Sequence, residues 1–375
     1  MALPLDGVKV LDLSRLLPGP YATLVLADLG AQVDKLEQPI TGDYARQAPP
    51  LKGDTSAFFL GLNRNKRSIV VDLKSAAGVQ TLRRLVQHYD VLLESFRPGV
   101  MDKLGCGYDA LSKENPRLVY CAISGFGATG PDRLRAGHDI GFMARSGALG
   151  YGGAADGPPS LPGVQVADVG GGGLFGVVGI LAALLERTRS GQGRFVDVSM
   201  TDGATAFMHM HLAARLQLGA QGAPLQRGRE ALNGGLPCYG LYATKDHRWL
   251  AVGAVEPRFF EGLCALLGRP ELIAGAWDSG EAGQHTRREL EALFAQRTQA
   301  EWVAALASLD LCVEPVREGD EVLADEQLRA RGLFVEHDGV VWLRTPLRLG
   351  DRPITPPPAL GADTAEILRE CGLES

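Results

Sequence analysis

Residues 8–36, VKVLDLSRLLPGPYATLVLADLGAQVDKL, carry the pattern that decides the fold. A short apolar run (Val8–Leu13) changes to helical periodicity (Pro20–Leu29) and back to a short run (Gln32–Leu36) within about thirty residues. That order is a strand, a helix and a second strand, a βαβ unit. The alternation continues with strands at Ser68–Asp72, Val91–Glu94, Leu118–Ile123 and Arg194–Ser199 and helices at Ala76–His88 and Phe175–Arg187. A doubly wound α/β domain with a parallel sheet accounts for it.

After Met200 the texture changes. A helical stretch rich in Ala, Met and His leads into Gln221–Gly235, which reads as part of a connector over residues 201–238. A smaller α+β domain is expected over residues 239–333, opening with a strand pair (Gly240–Ala243 and Trp249–Val255) around the polar turn Lys245–Arg248. The large domain then comprises residues 1–200, completed by the C-terminal segment 334–375, in which the Pro-rich stretch Pro353–Pro358 precedes a short helix at Thr364–Cys371.

The composition is that of an ordinary globular chain, with 45% hydrophobic and 22% charged residues among 375. Net charge is -6 and the basic residues are scattered, so there is no footprint for nucleic acid and an anionic ligand must be met locally. The six cysteines lie far apart with no C-x-x-C pair and no zinc spacing, which points to reduced core thiols in a cytoplasmic protein without a metal. The N-terminal MALPLDGVKVLDLS has no basic and apolar leader pattern. The longest apolar stretch, Leu174–Leu185, falls short of the ~20 residues that span a bilayer and reads as a buried helix rather than a membrane segment.

Gly171 to Gly176 satisfies G-x-G-x-x-G and is followed by Asp197 at a strand end. Two features oppose a dinucleotide site: the motif lies mid-chain rather than in the first βα turn, and Asp168 would set a carboxylate beside the pyrophosphate. The same glycines could instead let backbone amides approach an enolate oxygen, or simply permit close helix packing. Gly137-His138-Asp139 places an imidazole near a helix start, with Asp139 suited to cap it. Asp168 stands between an apolar run and four glycines, and Glu256 ends a strand of the second domain.

Several long blocks, taken together, resemble the class III coenzyme A transferase family, which includes formyl-CoA transferase, carnitine-CoA transferase and 2-methylacyl-CoA racemase. They include LPGPYATLVLADLGAQVDKLEQP, NRNKRSIVVDLK, SFRPGV, GHDIGFMARSGALG, DVGGGGLFGVVGILAALLER and NGGLPCYGLYATKDHRWLAVGAVEPRFFEGL, in the same order along the chain. The resemblance implies an interlocked homodimer whose active site is assembled between a large and a small domain. It puts the family's aspartate at Asp168, the racemase branch's histidine at His138 and its partner glutamate at Glu256. Transferases commonly carry Gln where this chain has Met143, which favours proton transfer.

The resemblance also places coenzyme A along the N-terminal βα loops, with Arg97 as the best phosphate contact and Gly137 and Asp139 close to the substrate. An Arg often follows the acidic strand end in this family, but Gln38 stands there, so Arg46 or the cluster Arg64, Lys66 and Arg67 would substitute unless that cluster is a solvated basic turn. The expected reaction is a 1,1-proton transfer on a 2-methylacyl-CoA thioester through an enolate, with acid/base groups on opposite faces and no cofactor beyond the coenzyme A of the substrate. The rivals are CoA transfer with Asp168 as nucleophile and a non-catalytic protein that binds CoA thioesters.

Overall fold

The computed structural model describes residues 2–221 and 224–373. The chain divides into two compact units, one formed by Met1–Ser146, Gly163–Phe207 and Gln327–Ser375 and the other by Gly147–Pro162 and Met208–Glu326. In the first unit lie strands β1 (Lys9–Asp12), β2 (Gln32–Glu37), β3 (Lys66–Val70), β4 (Val91–Glu94), β5 (Val119–Ser124) and β6 (Phe195–Ser199). All pair in parallel, in the order β3-β2-β1-β4-β5-β6. Val10, Leu11, Leu92, Leu93 and Val119 are buried, as expected of strands covered on both faces, which explains their nearly continuous apolar runs. The strand order reverses between β1 and β4, where a doubly wound sheet opens a crevice outside its carboxyl ends.

Helix α1 (Pro18–Asp28) follows β1, and α2 (Ala76–Leu85) follows β3. Beyond β5 come α3 (Asp139–Arg145) and the long helix α4 (Val166–Ser190), after which β6 leads into α5 (Met200–Phe207). Sequence periodicity places the start of α4 near Leu174, but the helix begins at Val166 and runs as a π-helix to Leu174 before continuing as an α-helix. The glycines explain the difference. A Cβ on Gly203 of α5 would stand 2.4 Å from the Gly171 Cα, and one on Gly173 would stand 3.0 Å from the Pro18 carbonyl oxygen. Close packing therefore accounts for Gly171–Gly173, and π-helical turns within helices are frequent at functional sites.

The 25 residues of α4 are long and apolar enough to cross a membrane. One face, with Gly176, Val177, Ile180 and Ala183, is buried, whereas Val178 and Leu185 are exposed, so the expected buried helix holds for one face only. The cysteines behave similarly: five are buried and Cys312 is exposed.

From Gln327 the chain returns to the first unit. Asp363 accepts the Ser68 amide at 2.7 Å and Thr364 Oγ1 accepts the Val70 amide at 3.1 Å, covering the free edge of β3. The second unit holds an antiparallel sheet of β7 (Tyr239–Ala243), β8 (Trp249–Gly253) and β9 (Val313–Pro315), with β8 in the middle. Helix α6 (Pro257–Leu267) supplies Phe260 and Leu263 to its core beside Phe294 and Trp302.

The expected connector is split between the units: α5 stays with the first, and the described residues from Met208 onward belong to the second. Residues 222 and 223 of that connector lie outside the described residues. The Gly147–Pro162 excursion joins the second unit because the Tyr151 hydroxyl meets His211 Nδ1 at 3.0 Å and also donates to Glu230. Arg227 fastens it further by donating to the carbonyls of Gly150, Ala154 and Gly157.

The contact between Gly171 and Gly203 is backbone against backbone, with no side chain to yield. Gly203→Ala should therefore cost about 1–3 kcal/mol, read as a lower urea midpoint with an unchanged slope.

Candidate active site

Two loop-to-helix junctions bring the candidate residues together. His138 is the N-cap residue of α3, in extended backbone, and its carbonyl accepts the amides of Gly141 at 2.8 Å and Phe142 at 3.2 Å. Asp139 is the first residue inside the helix rather than its cap. Its carboxylate reaches across and accepts the Asp168 amide at 3.0 Å, so it caps the first turn of α4 instead. Gly137 has a packing role: a Cβ there would come within 2.5 Å of the Phe142 ring, which itself lies edge-on to Phe126.

Asp168 is half-buried and His138 is exposed. Burial pushes the Asp168 carboxyl up from 3.8 to about 6, the neighbouring Asp139 carboxylate adds to the rise, and His138 opposes it. A carboxyl shifted that far is mostly charged at neutral pH yet titrates closer to neutrality than an ordinary aspartate, which suits a group that must both take and return a proton. Glu256 lies in the second unit, exposed, at the N-cap of α6 with no side-chain cap bond. The structure thus brings His138, Asp139 and Asp168 together, while Glu256 is a surface residue of another unit.

A second feature of the first unit is a cleft of about 410 Å³ outside the carboxyl ends of β1 to β4, lined among others by Arg15, Glu37, Gln38, Lys74 and Phe96. Its position is the switch point of the sheet. The Arg15 guanidinium sits 4.8 Å from the Phe96 ring centroid and 5.3 Å from that of Tyr44. Gln38 turns back on its own loop, donating to Thr41 Oγ1 at 2.7 Å and to the Gly42 carbonyl. Arg97 is exposed beside the cleft, between the lining residues Phe96 and Val100.

The substitute phosphate contacts named from the sequence are committed elsewhere. Arg46 is paired with Glu37 at 2.7 Å, Arg64 with Asp28, and Arg67 with Asp34 at 2.7 Å and Glu370 at 2.8 Å. Lys66 is buried against Asp12 at 3.3 Å and donates to Asn63, Thr23 and the Pro20 carbonyl. Burial, with Lys35 nearby, brings the Lys66 ammonium down to about 7 although Asp12 opposes the fall. The basic run is therefore neither a clamp for the coenzyme A phosphates nor a solvated turn: Arg64 and Lys66 are buried in ion pairs, and Arg67 bridges Asp34 and Glu370. The cations that do line the cleft, Arg15 and Lys74, went unnamed at the level of sequence, although each lies in the loop three or four residues beyond a strand end, the signal that would have found them.

The sequence pattern of CoA-transferase family III matches residues 5–364. The human alpha-methylacyl-CoA racemase is 39% identical, with 99% of this chain and 94% of that protein covered. The mouse succinyl-CoA:glutarate CoA-transferase is 36% identical, covering 98% of this chain and 86% of its own. Among solved structures, a CAIB/BAIF family protein from Brucella suis superposes with a TM-score of 0.85 at 33% identity, over 99% of this chain and 100% of that one.

Because the folded Asp168 value of about 6 lies above the ordinary 3.8, this group stabilises the fold fully only below about pH 4, and the contribution is lost as pH rises through 6. Asp168→Asn should therefore raise the unfolding midpoint at pH 7.5 and change it little at pH 4. Chemical denaturation at the two pH values checks the sign, and an equal shift at both would contradict the burial of this carboxyl.

Proposed function

The chain belongs to CoA-transferase family III, and from that membership we propose that it is an acyl-CoA racemase acting on 2-methylacyl-CoA thioesters. The observation that carries this reading is an Asp168 carboxyl raised to about 6 within the electrostatic reach of His138, with Asp139 tying the two helix starts together. One of them takes the α-proton, leaving an enolate whose charge moves onto the thioester oxygen. The other returns a proton to the opposite face, which inverts the carbon. These steps need no metal or redox cofactor, since coenzyme A enters as part of the substrate.

The enolate oxygen is assigned to the first turn of α4, whose amide dipoles point their positive end toward Asp168. Gly171–Gly173 are buried in packing contacts and the Asp168 and Val169 amides already donate to Asp139 and to the Gln165 carbonyl, so the stabilisation proposed is the field of the helix end rather than a bond from one of these amides. Arg15 and Lys74 in the cleft, with Arg97 at its rim, are the proposed contacts for the coenzyme A phosphates. Glu256 is proposed to come from a second copy of the chain and to orient His138. An interlocked homodimer would also cover the exposed apolar residues Val178 and Leu185 of α4. Met143, where transferases commonly carry Gln, is buried on α3.

The second reading is CoA transfer between carboxylic acids with Asp168 as nucleophile, favoured by the 36% identity to a glutarate CoA-transferase. The two reactions separate cleanly in heavy water. A single-enantiomer 2-methylacyl-CoA should gain deuterium at the α-carbon with no second acid present, and His138→Ala or Asp168→Ala should each slow that exchange at least about 100-fold. Transfer of coenzyme A to an added dicarboxylate without α-deuteration would overturn the racemase reading.

A further inference from the structure

We propose that the end of α1 and the C-terminal segment 344–352 together form a binding site for a small inorganic anion, separate from the catalytic residues and from the cleft. The first observation is charge. A space of about 20 Å³ is lined by Arg64, Arg344, Arg348 and Arg352 with Asp28 and Thr345, all within the first unit. That volume holds one or two atoms of water size, enough for a chloride ion or for the leading oxygen of a phosphate whose remainder stays at the mouth.

The four guanidiniums face fewer carboxylates than they carry charges. Asp28 is taken by Arg64, which donates to both of its oxygens and to the Leu343 carbonyl. Asn65 and Thr345 also donate to Asp28. Arg344 pairs with the exposed Asp351 at 2.6 Å. Among the described residues Arg352 and Arg348 have no carboxylate at ion-pair distance; Arg352 donates to the carbonyls of Ala27 and Ala31 and Arg348 to that of Arg331. Asp6 acts on Arg352 at longer range. Arg352 is held below the usual arginine range by burial and by Arg64, with Asp28 and Asp6 opposing, which is the electrostatics of a site short of negative charge.

The second observation is independent of the charge count. The Arg64 side chain is 1% exposed, yet its Nε is a buried donor with no hydrogen-bond partner. Such a donor is costly to bury, and it leaves the Arg64 guanidinium under-compensated beside the space although its Nε itself is sealed from it. An anion in this space would accept from guanidinium N–H groups in the way arginine clusters hold phosphate and carboxylate. It would also act as a clip, since Arg352 donates to the Ala27 carbonyl in the last turn of α1 and to the Ala31 carbonyl just past it, while Arg344 and Arg348 belong to the segment that leads to the strap over β3.

The test is thermal unfolding of the full chain at constant ionic strength. Sodium gluconate is replaced stepwise by sodium phosphate, or separately by sodium chloride, with saturating coenzyme A present to fill the cleft. The unfolding midpoint of the native protein should rise and saturate with phosphate, chloride or both, the pattern naming the anion that fits. Arg348→Gln and Arg344→Gln, which touch no catalytic residue, should each require at least about tenfold more anion for the same rise. A rise that never saturates, or one that is identical in the native protein and both variants, would overturn the site and leave only a general salt effect.

Discussion

The hydrogen bond from the Asp168 amide to the Asp139 carboxylate is the constraint on which the site depends. It ties the start of α4 to the start of α3, and so brings Asp168 into the electrostatic reach of His138. The bond has an electrostatic consequence as well as a geometric one. By holding a second carboxylate next to a half-buried one, it adds to the desolvation that lifts Asp168 toward neutrality.

That arrangement is possible only because α4 can approach its neighbours closely. Glycine at 171 and 203 lets two backbones touch, and Gly173 lets α4 lie on the start of α1. The π-helical start of α4 is the form these contacts take, and it brings Asp168 within reach of Asp139. A run of glycines that looks like a phosphate loop in the sequence serves here to position a carboxylate.

The first unit also separates its charges into two populations. Asp12, Lys35, Asp43 and Lys66 are buried and satisfy one another beneath the sheet's carboxyl ends. Breaking one such pair costs far more than an exposed pair contributes, so these residues are fixed in place. Arg15 and Lys74, by contrast, stand in loops beyond strand ends facing the cleft, with Arg15 held between two aromatic rings rather than by a carboxylate. Charge left without a carboxylate marks where an anionic ligand can be met in a chain of net charge -6.

The sequence alone determined the parallel α/β architecture, because strand and helix periodicities are local and residues 8–36 display both. It also singled out His138 and Asp168, since a family resemblance records which residue types recur at which motif. It could not tell that Arg64, Lys66 and Arg67 face inward, because the direction of a charged side chain depends on carboxylates that lie thirty or more residues away in the chain and adjacent only in space. It did place Glu256 in a different domain from His138, but it could not show that Asp139 caps α4 rather than α3. Those are matters of tertiary structure, for the physical reason that ion pairing, desolvation and close backbone approach act between elements that only folding brings together.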